Sequence, residues 1–416
     1  MPIITDKEAA IRIQRHVRGH LARKKYGIKQ APKSSLTEYK AFLVGNEPII
    51  NLPETYKANK EKIALVGTSV LRSLYLICQL GNRVETPKLI IIDNSEKVLA
   101  FWRKLRDLIE KSIFIDETAN NVIMETKEAK FLKVFSEFLA QNTELYHVIP
   151  DNAYNEYQPL FQYEKQDPNN FMKRLVEQHG LSYVLSTIKH MSIIGQSWAD
   201  PHLLKVIKNI LDLHGIKKVY AYPSNIEHCI NDEFIEQLRE NIEVLKPELS
   251  VETDRCPSHG IPETVFLKSG TELQKEKEKR IQNKAIHSIL DEFKTKIETI
   301  GKHHPQAKQK ALNLHRQLTQ NLEKVVTQPR ASQDFTSYIQ QAQTLITAAI
   351  PTLERDLSWS DYLLNLIKRI ASAVAYGCTL GYAQRFFPMK TAEAATAASQ
   401  LGIDLEKTSA GPLFSI

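Results

Sequence analysis

The middle of the chain alternates short apolar runs with amphipathic stretches, and this pattern constrains the fold more than any other feature. Residues 63–66 and 89–92 are uniformly apolar, and the two runs end at Gly67 and Asp93. Residues 70–80, between them, have apolar positions at helical spacing. Uniformly apolar strands fit a sheet that is covered on both faces, and strands that alternate with helices indicate parallel pairing with right-handed crossovers.

The same alternation continues to about residue 270. Strands are predicted at 62–69, 88–94, 121–125, 146–149, 191–195 and 217–222, and helices at 70–80, 96–110, 129–141, 169–188 and 232–245. Asp200 is predicted to cap another helix, with Pro201 in its first turn. Residues 249–252 and 263–268 resemble a closing hairpin. The predicted fold class is α/β, with a Rossmann-like, mostly parallel sheet.

From about residue 271 the pattern becomes helical and charged. Helices are predicted at 272–303, 306–327, 334–353 and 359–385, and they are punctuated by Pro305, Pro329 and Pro351. This spacing favours an α-helical bundle domain with antiparallel neighbours.

Composition excludes several classes of protein. The net charge of +7 over 416 residues comes largely from the N-terminal arm and the rest of the chain is nearly balanced, so composition by itself gives no case for a nucleic-acid binder. The four cysteines include no CxxC pair, which favours a reducing cytoplasm and predicts no metal site. No signal peptide is recognised, and the apolar stretch at 370–383 is shorter than the roughly 20 residues of a transmembrane helix.

Residues 13–26 carry an aliphatic residue followed by Gln, then Arg-Gly, a basic residue and an aromatic residue, on a basic amphipathic stretch. This segment resembles the IQ motif, and the resemblance implies binding of calmodulin or a calmodulin-like light chain. Calmodulin is acidic and offers Met-lined apolar grooves to basic amphipathic helices. The predicted calmodulin-binding residues are Ile13, Gln14, Val17, Arg18, Gly19, Leu21, Arg23 and Tyr26. A solvated basic helix, or a nucleic-acid or membrane-surface arm, is the alternative.

The predicted organisation has four parts. An IQ helix at 1–30 is followed by residues 31–60. This second segment is predicted to be a linker or entry segment because it contains three prolines. A Rossmann-like domain at 61–270 precedes a C-terminal helical domain at 271–416.

Polar side chains follow several predicted strands. Ligands of open α/β sheets bind beyond the carboxyl ends of the strands, and an acidic residue some 20 positions after the first glycine turn commonly binds a ribose. Asp93 lies 26 positions after Gly67, which suits a nucleoside-bearing cofactor. The candidate cofactor-binding residues are Gly67, Thr68, Ser69, Asp93, Asn94, Ser197, Trp198, Ser224 and Asn225.

This region, about residues 60–270, resembles the class I S-adenosylmethionine-dependent transferases. The likeness rests on the Val-Gly-Thr-Ser turn, Asp93, the later strands and the closing hairpin, while Ser224-Asn225 is loosely similar to the aminocarboxypropyl transferase branch. The resemblance implies S-adenosylmethionine as cofactor, with Gly67 near its methionine end and Asp93 on its ribose. The family's turn usually carries two or three glycines, and this turn carries one.

Structural explanations exist for the same residues. Asp93 could cap the next helix, Trp198 could pack with its N–H bound to backbone, and Tyr222 and Asn225 could belong to a turn begun by Pro223. No catalytic residue is identified. The interpretation is a calmodulin-regulated methyl- or aminocarboxypropyl-transferase, similar in organisation to effectors that intracellular bacteria inject into eukaryotic hosts. A non-catalytic calmodulin-binding scaffold, or an enzyme that uses NAD or a nucleotide, is the alternative.

Overall fold

The computed structural model describes residues 21, 23–45, 47–114, 127–147, 167–255, 262–328 and 333–379. The chain divides into two compact units, residues 1–271 and 272–416. The strands of the first unit are β1 (Ala41–Phe42), β2 (Ile63–Gly67), β3 (Lys88–Asp93), β4 (Tyr146–His147), β5 (Ser192–Gly195), β6 (Lys218–Ser224), β7 (Leu249–Arg255) and β8 (Pro262–Ser269). Its helices are α1 (Leu71–Leu80), α2 (Glu96–Phe114), α3 (Lys127–Gln141), α4 (Pro168–His179), α5 (Leu181–His190), α6 (Leu203–Leu213) and α7 (Asp232–Leu245).

The main sheet has six strands in the order β5-β3-β2-β6-β7-β8. Neighbouring strands pair in parallel from β5 to β7, and β8 runs antiparallel to β7. Numbered within the sheet, this is the doubly wound order 3-2-1-4-5-6. The α/β fold class with a mostly parallel sheet is confirmed, and the predicted closing hairpin is the β7–β8 pair.

Both faces of the sheet are buried, which explains why the central strands are apolar throughout. Leu65 of β2 and Ile91 of β3 belong to one core cluster, whereas Val66 and Ile92 belong to the cluster on the other face. Alternate residues of a strand point to opposite faces. A strand covered on both sides therefore needs apolar residues at every position.

Two predicted elements of the first unit differ in the structure, and a third cannot be compared with it. The helix expected at 169–188 is two helices, α4 and α5, because Gly180 takes a backbone φ of 82°, which a helix cannot contain. The strand expected at 146–149 is β4, but it pairs with β1 outside the main sheet. The strand expected at 121–125 lies outside the described residues.

The second unit is helical. Its helices are α8 (Gly270–Glu298), α9 (Pro305–Val326), α10 (Phe335–Leu357) and α11 (Ser360–Thr379). Asp334 caps α10 by accepting backbone N–H groups from Thr336 and Ser337. Pro351 lies near the end of the helix predicted at 334–353, and in the structure α10 continues for six residues beyond it. Among the described residues, no helix is both long enough and apolar enough to span a bilayer.

Candidate functional site at the carboxyl edge of the sheet

The carboxyl ends of the parallel strands bring the predicted site residues to one edge. The chain leaves β2 for β3 on one side, while β6 pairs with β2 on the other, so a topological switch point lies between β2 and β6. Ligands of doubly wound sheets bind in the crevice at this point. The residues that end β2 and β6 are Gly67 and Ser224.

The turn after β2 is packed against the protein itself. A Cβ on Gly67 would lie 2.6 Å from Ser73 Oγ, and the Ser73 hydroxyl donates to the Thr68 carbonyl. The Thr68 N–H donates to the Tyr222 carbonyl at 3.2 Å, which ties the turn to β6. The single glycine of this turn is therefore explained by close contact between strand and helix, without a ligand.

Asp93 joins the turn after β2 to the start of α2. Its Oδ2 accepts from Thr68 Oγ1 at 2.8 Å and from the Ser69 N–H at 3.2 Å, and its Oδ1 accepts from the Ser95 N–H at 2.8 Å. Burial raises the pKa of the Asp93 carboxyl, and the hydrogen bonds that it accepts offset part of that rise. Both oxygens already have donors, so ribose binding by Asp93 stays a prediction.

The segment predicted as a linker covers the carboxyl edge. We call residues 28–47 the N-terminal strap; the structure describes all of them except Asn46. The strap bonds in turn to the end of β5, to the residue after β3, to the first residue of α1, which follows β2, and to β6. The strands β5, β3, β2 and β6 are neighbours in this order in the sheet. Its bonds are Ala31 N–H to Gly195 O (2.8 Å), Thr37 N–H to Asn94 O (2.8 Å), Leu71 N–H to Leu43 O (2.8 Å) and Tyr222 Oη to Glu47 Oε1 (2.8 Å).

The strap places a buried carboxylate in the crevice at the switch point. Glu47 is 2% exposed, and its Oε1 accepts hydrogen bonds from the hydroxyls of Tyr222 and Ser224. Arg72 is buried in the same place: a Cβ on Gly45 would overlap Glu47 Oε2 and would lie 3.4 Å from Arg72 Nε. Gly45 has a φ of 95°, so both its conformation and the space around it require glycine.

Tyr222 is held as a neutral donor in this cluster. Burial raises its pKa well above the ordinary value for tyrosine, and the charge of Glu47 raises it further. The positive charge of Arg72 acts in the opposite direction and does not cancel these effects. The hydroxyl therefore keeps its proton and donates a hydrogen bond to the Glu47 carboxylate.

The remaining predicted residues lie apart from this cluster. Trp198 is 2% exposed and packs in the core on the other face of the sheet, with its Nε1–H bound to the Ile92 carbonyl at 3.0 Å. The Ser197 hydroxyl accepts a backbone N–H two residues on, at 3.1 Å. Asn225 begins a short 3-10 turn. The Trp198 contact matches the structural explanation given for that residue. The explanation given for Asn225 is wrong in one respect, because Tyr222 and Pro223 lie inside β6 and Pro223 does not begin the turn.

The predicted residues that lie at the carboxyl edge of the sheet include Gly67, Thr68, Ser69, Asp93 and Ser224. The prediction from sequence did not include two charged residues of the same cluster, Glu47 and Arg72, and it placed Tyr222 only in a turn. A signal for the charged pair was present. Glu47 is the only acidic residue between positions 39 and 53, and Arg72 interrupts an otherwise mostly apolar helix.

The end of the IQ segment adjoins the strap directly. Residues 23–26 are helical, and the helix ends at Gly27, whose φ is 69°. Leu21 is 57% exposed, and the Ile28 side chain packs against the core cluster that contains Trp198. The other predicted calmodulin-binding residues, from Ile13 to Gly19, lie outside the described residues.

In the part of the chain that the structure describes, no group of three or more His, Cys, Asp or Glu side chains is placed to hold a metal ion. Cys256 and His259, which are three positions apart in the sequence, lie outside that part.

Comparison with known proteins bears on the N-terminal segment. The model of the IQ calmodulin-binding motif matches residues 7–27. The chain carries an IQ motif. This match supports calmodulin, or a protein like it, as a partner of the segment that leads into the strap. No curated protein matches the chain.

Proposed function

We propose that this chain is a calmodulin-binding protein in which calmodulin controls access to the carboxyl edge of the α/β unit. One observation carries the proposal: the IQ segment ends at Gly27 and the strap that covers the edge begins at the next residue. A partner that takes hold of the IQ helix therefore acts on the strap through the backbone itself.

The physical basis is a competition between two sets of contacts. Ile28 packs on the core, and the strap bonds to β5, to the residue after β3, to α1 and to β6. These contacts favour the closed edge. Calmodulin buries the apolar face of the IQ helix in its own grooves and surrounds the basic side chains with acidic ones. It can shift the strap only by the difference between its affinities for the closed and open states.

For the open state we propose S-adenosylmethionine-dependent transfer of a methyl or aminocarboxypropyl group. The strand order and the position of Asp93 at the end of the second strand of the sheet support this activity. An enzyme that is closed without calmodulin also suits a cytoplasmic effector, made in a bacterium and active in a eukaryotic host. The rival is a non-catalytic scaffold, which is favoured by the internal bonds that already satisfy Asp93.

Calorimetry and hydrogen exchange test the two parts separately. We expect calmodulin to bind the full chain and to increase amide exchange in residues 28–47, because the strap loses its bonds to the strand ends. We expect S-adenosylmethionine or its demethylated product to bind only with calmodulin present. The matched control is the double variant Ile13→Ala, Gln14→Ala, which should lose the calmodulin effects and keep the fold.

Each part has its own contrary result. If calmodulin binds and the amide hydrogen exchange of residues 28–47 does not change, the proposal that calmodulin controls access to the edge is contradicted. An exposed strap that gives no heat with either cofactor form rejects the transferase and leaves the scaffold.

A further inference from the structure

The crevice at the switch point already contains an anion, the carboxylate of Glu47. We propose that Arg72, Tyr222 and Ser224 form a subsite for the carboxylate group of a small molecule, and that Glu47 occupies this subsite as an internal substitute while the strap is closed. The inference rests on the proposed function in one respect, namely that the carboxyl edge is the edge where ligands bind.

The subsite has donors from two elements that do not belong to the strap. Tyr222 and Ser224 end β6, and both hydroxyls donate to the same oxygen, Glu47 Oε1. Arg72 lies in the first turn of α1, where the helix dipole also favours negative charge. The exposed fractions are 0% for Tyr222, 6% for Ser224 and 1% for Arg72, so these groups surround a charge in a place that water does not reach.

The burial of the Glu47 carboxylate indicates that the groups around it are arranged to bind a carboxylate. Removing an ionised group from water costs free energy, which only well-placed opposite charges and hydrogen bonds offset. Glu47 Oε2 accepts no hydrogen bond from the described residues, so the fit of Glu47 is incomplete. A free ligand, which is not tethered to a strap, can place both carboxylate oxygens more favourably.

The geometry of the strap shows how the exchange would occur. Gly45 lets the strap backbone approach the Glu47 carboxylate, and Leu43 anchors the strap to α1 through the Leu71 N–H. Glu47 can leave the crevice when this stretch of the strap moves, while Arg72, Tyr222 and Ser224 stay on the sheet and its first helix. An empty subsite would then contain a buried cation, which attracts a carboxylate.

The test is chemical rescue of the full-length chain. In Glu47→Ala the carboxylate is missing, and thermal unfolding is followed in sodium acetate and in sodium chloride of equal ionic strength. We expect acetate to raise the Tm of this variant by roughly 2–4 °C more than chloride does, because acetate tenfold above its Kd raises the folded-to-unfolded ratio about tenfold. The control, Glu54→Ala, removes a carboxylate that is 86% exposed, so it should show only the general difference between the two salts that the unmodified chain also shows.

A second variant identifies the donors. In Glu47→Ala with Tyr222→Phe, the acetate concentration for half-maximal rescue should rise about tenfold, because a hydrogen bond to a charged group is lost. Equal unfolding curves in acetate and chloride for Glu47→Ala would overturn the subsite. Rescue that is unaffected by Tyr222→Phe would overturn it as well.

If Glu47→Ala does not fold, Glu47→Gln keeps the side-chain volume and removes the charge. Acetate should then displace the amide and increase hydrogen exchange in residues 41–47, whereas unchanged exchange would overturn the proposal. Acetate rescue without binding of S-adenosylmethionine keeps the subsite and rejects the transferase, so failure of the subsite and failure of the proposed function are distinguishable.

Discussion

At the scale of single residues, the candidate site is a set of polar groups that mostly satisfy one another. Asp93 accepts from Thr68, Ser69 and Ser95, and Glu47 accepts from Tyr222 and Ser224. Buried polar groups are stable only when they have such partners. The state described here is therefore a closed and internally bonded one, and a ligand must replace these bonds.

Gly67 gives a prediction at this scale. In Gly67→Ala the new Cβ would lie 2.6 Å from Ser73 Oγ, so the variant should be less stable by about 1–3 kcal/mol, the usual cost of overpacking. Urea unfolding measures the loss. Adding Ser73→Ala should recover part of it, and the Ser73→Ala single variant completes a double-mutant cycle. Equal losses in the presence and absence of Ser73 would show that the contact is not the cause.

At the scale of elements, local sequence predicted most helices and strands, and glycines with positive φ decided where some of them end. The expected helix at 169–188 contains Gly180, and apolar periodicity continues across that residue. Apolar periodicity indicates which face of a helix is buried, and it does not indicate where the helix axis changes direction. The chain turns at Gly180, so α4 and α5 both pack on the core cluster that also contains α1.

Gly180→Ala tests this explanation. A Cβ at Gly180 would meet no atom within 4 Å, so the cost comes only from the backbone, whose φ of 82° is strained for alanine. We expect a loss of about 1–3 kcal/mol in the free energy of unfolding. The control is Gly301→Ala, where a Cβ also meets nothing and φ is not positive, so its effect should be small. Similar losses at both positions would contradict the backbone explanation.

At the scale of the whole molecule, the IQ segment and the α/β unit are linked through the strap. If calmodulin binds only while the strap is open, a change that weakens the closed strap raises the open fraction and strengthens calmodulin binding, by at most the free energy of closure that is lost. The coupling therefore does not depend on knowing the ligand of the α/β unit, because it can be measured from the calmodulin side alone.

Glu47→Ala is expected to increase calmodulin affinity. The variant removes two hydrogen bonds that hold the strap closed, and calmodulin then has less to displace. Each 1.4 kcal/mol of lost closure would tighten calmodulin binding about tenfold. Fluorescence titration of the full chain with labelled calmodulin measures the Kd. Glu54→Ala serves as the control. An unchanged Kd for Glu47→Ala would show that calmodulin binding is not coupled to closure of the strap.

The sequence by itself determined the IQ motif, the α/β class, and the strands and helices whose apolar spacing is local. It also brought Gly67, Thr68 and Asp93 to one edge, because parallel strands end on the same side of a sheet. Only the tertiary structure decided that residues 28–47 cover that edge and that Glu47 lies against Arg72, Tyr222 and Ser224. The strap has little regular structure, so its place comes from contacts between residues as many as 177 positions apart, which no local periodicity encodes.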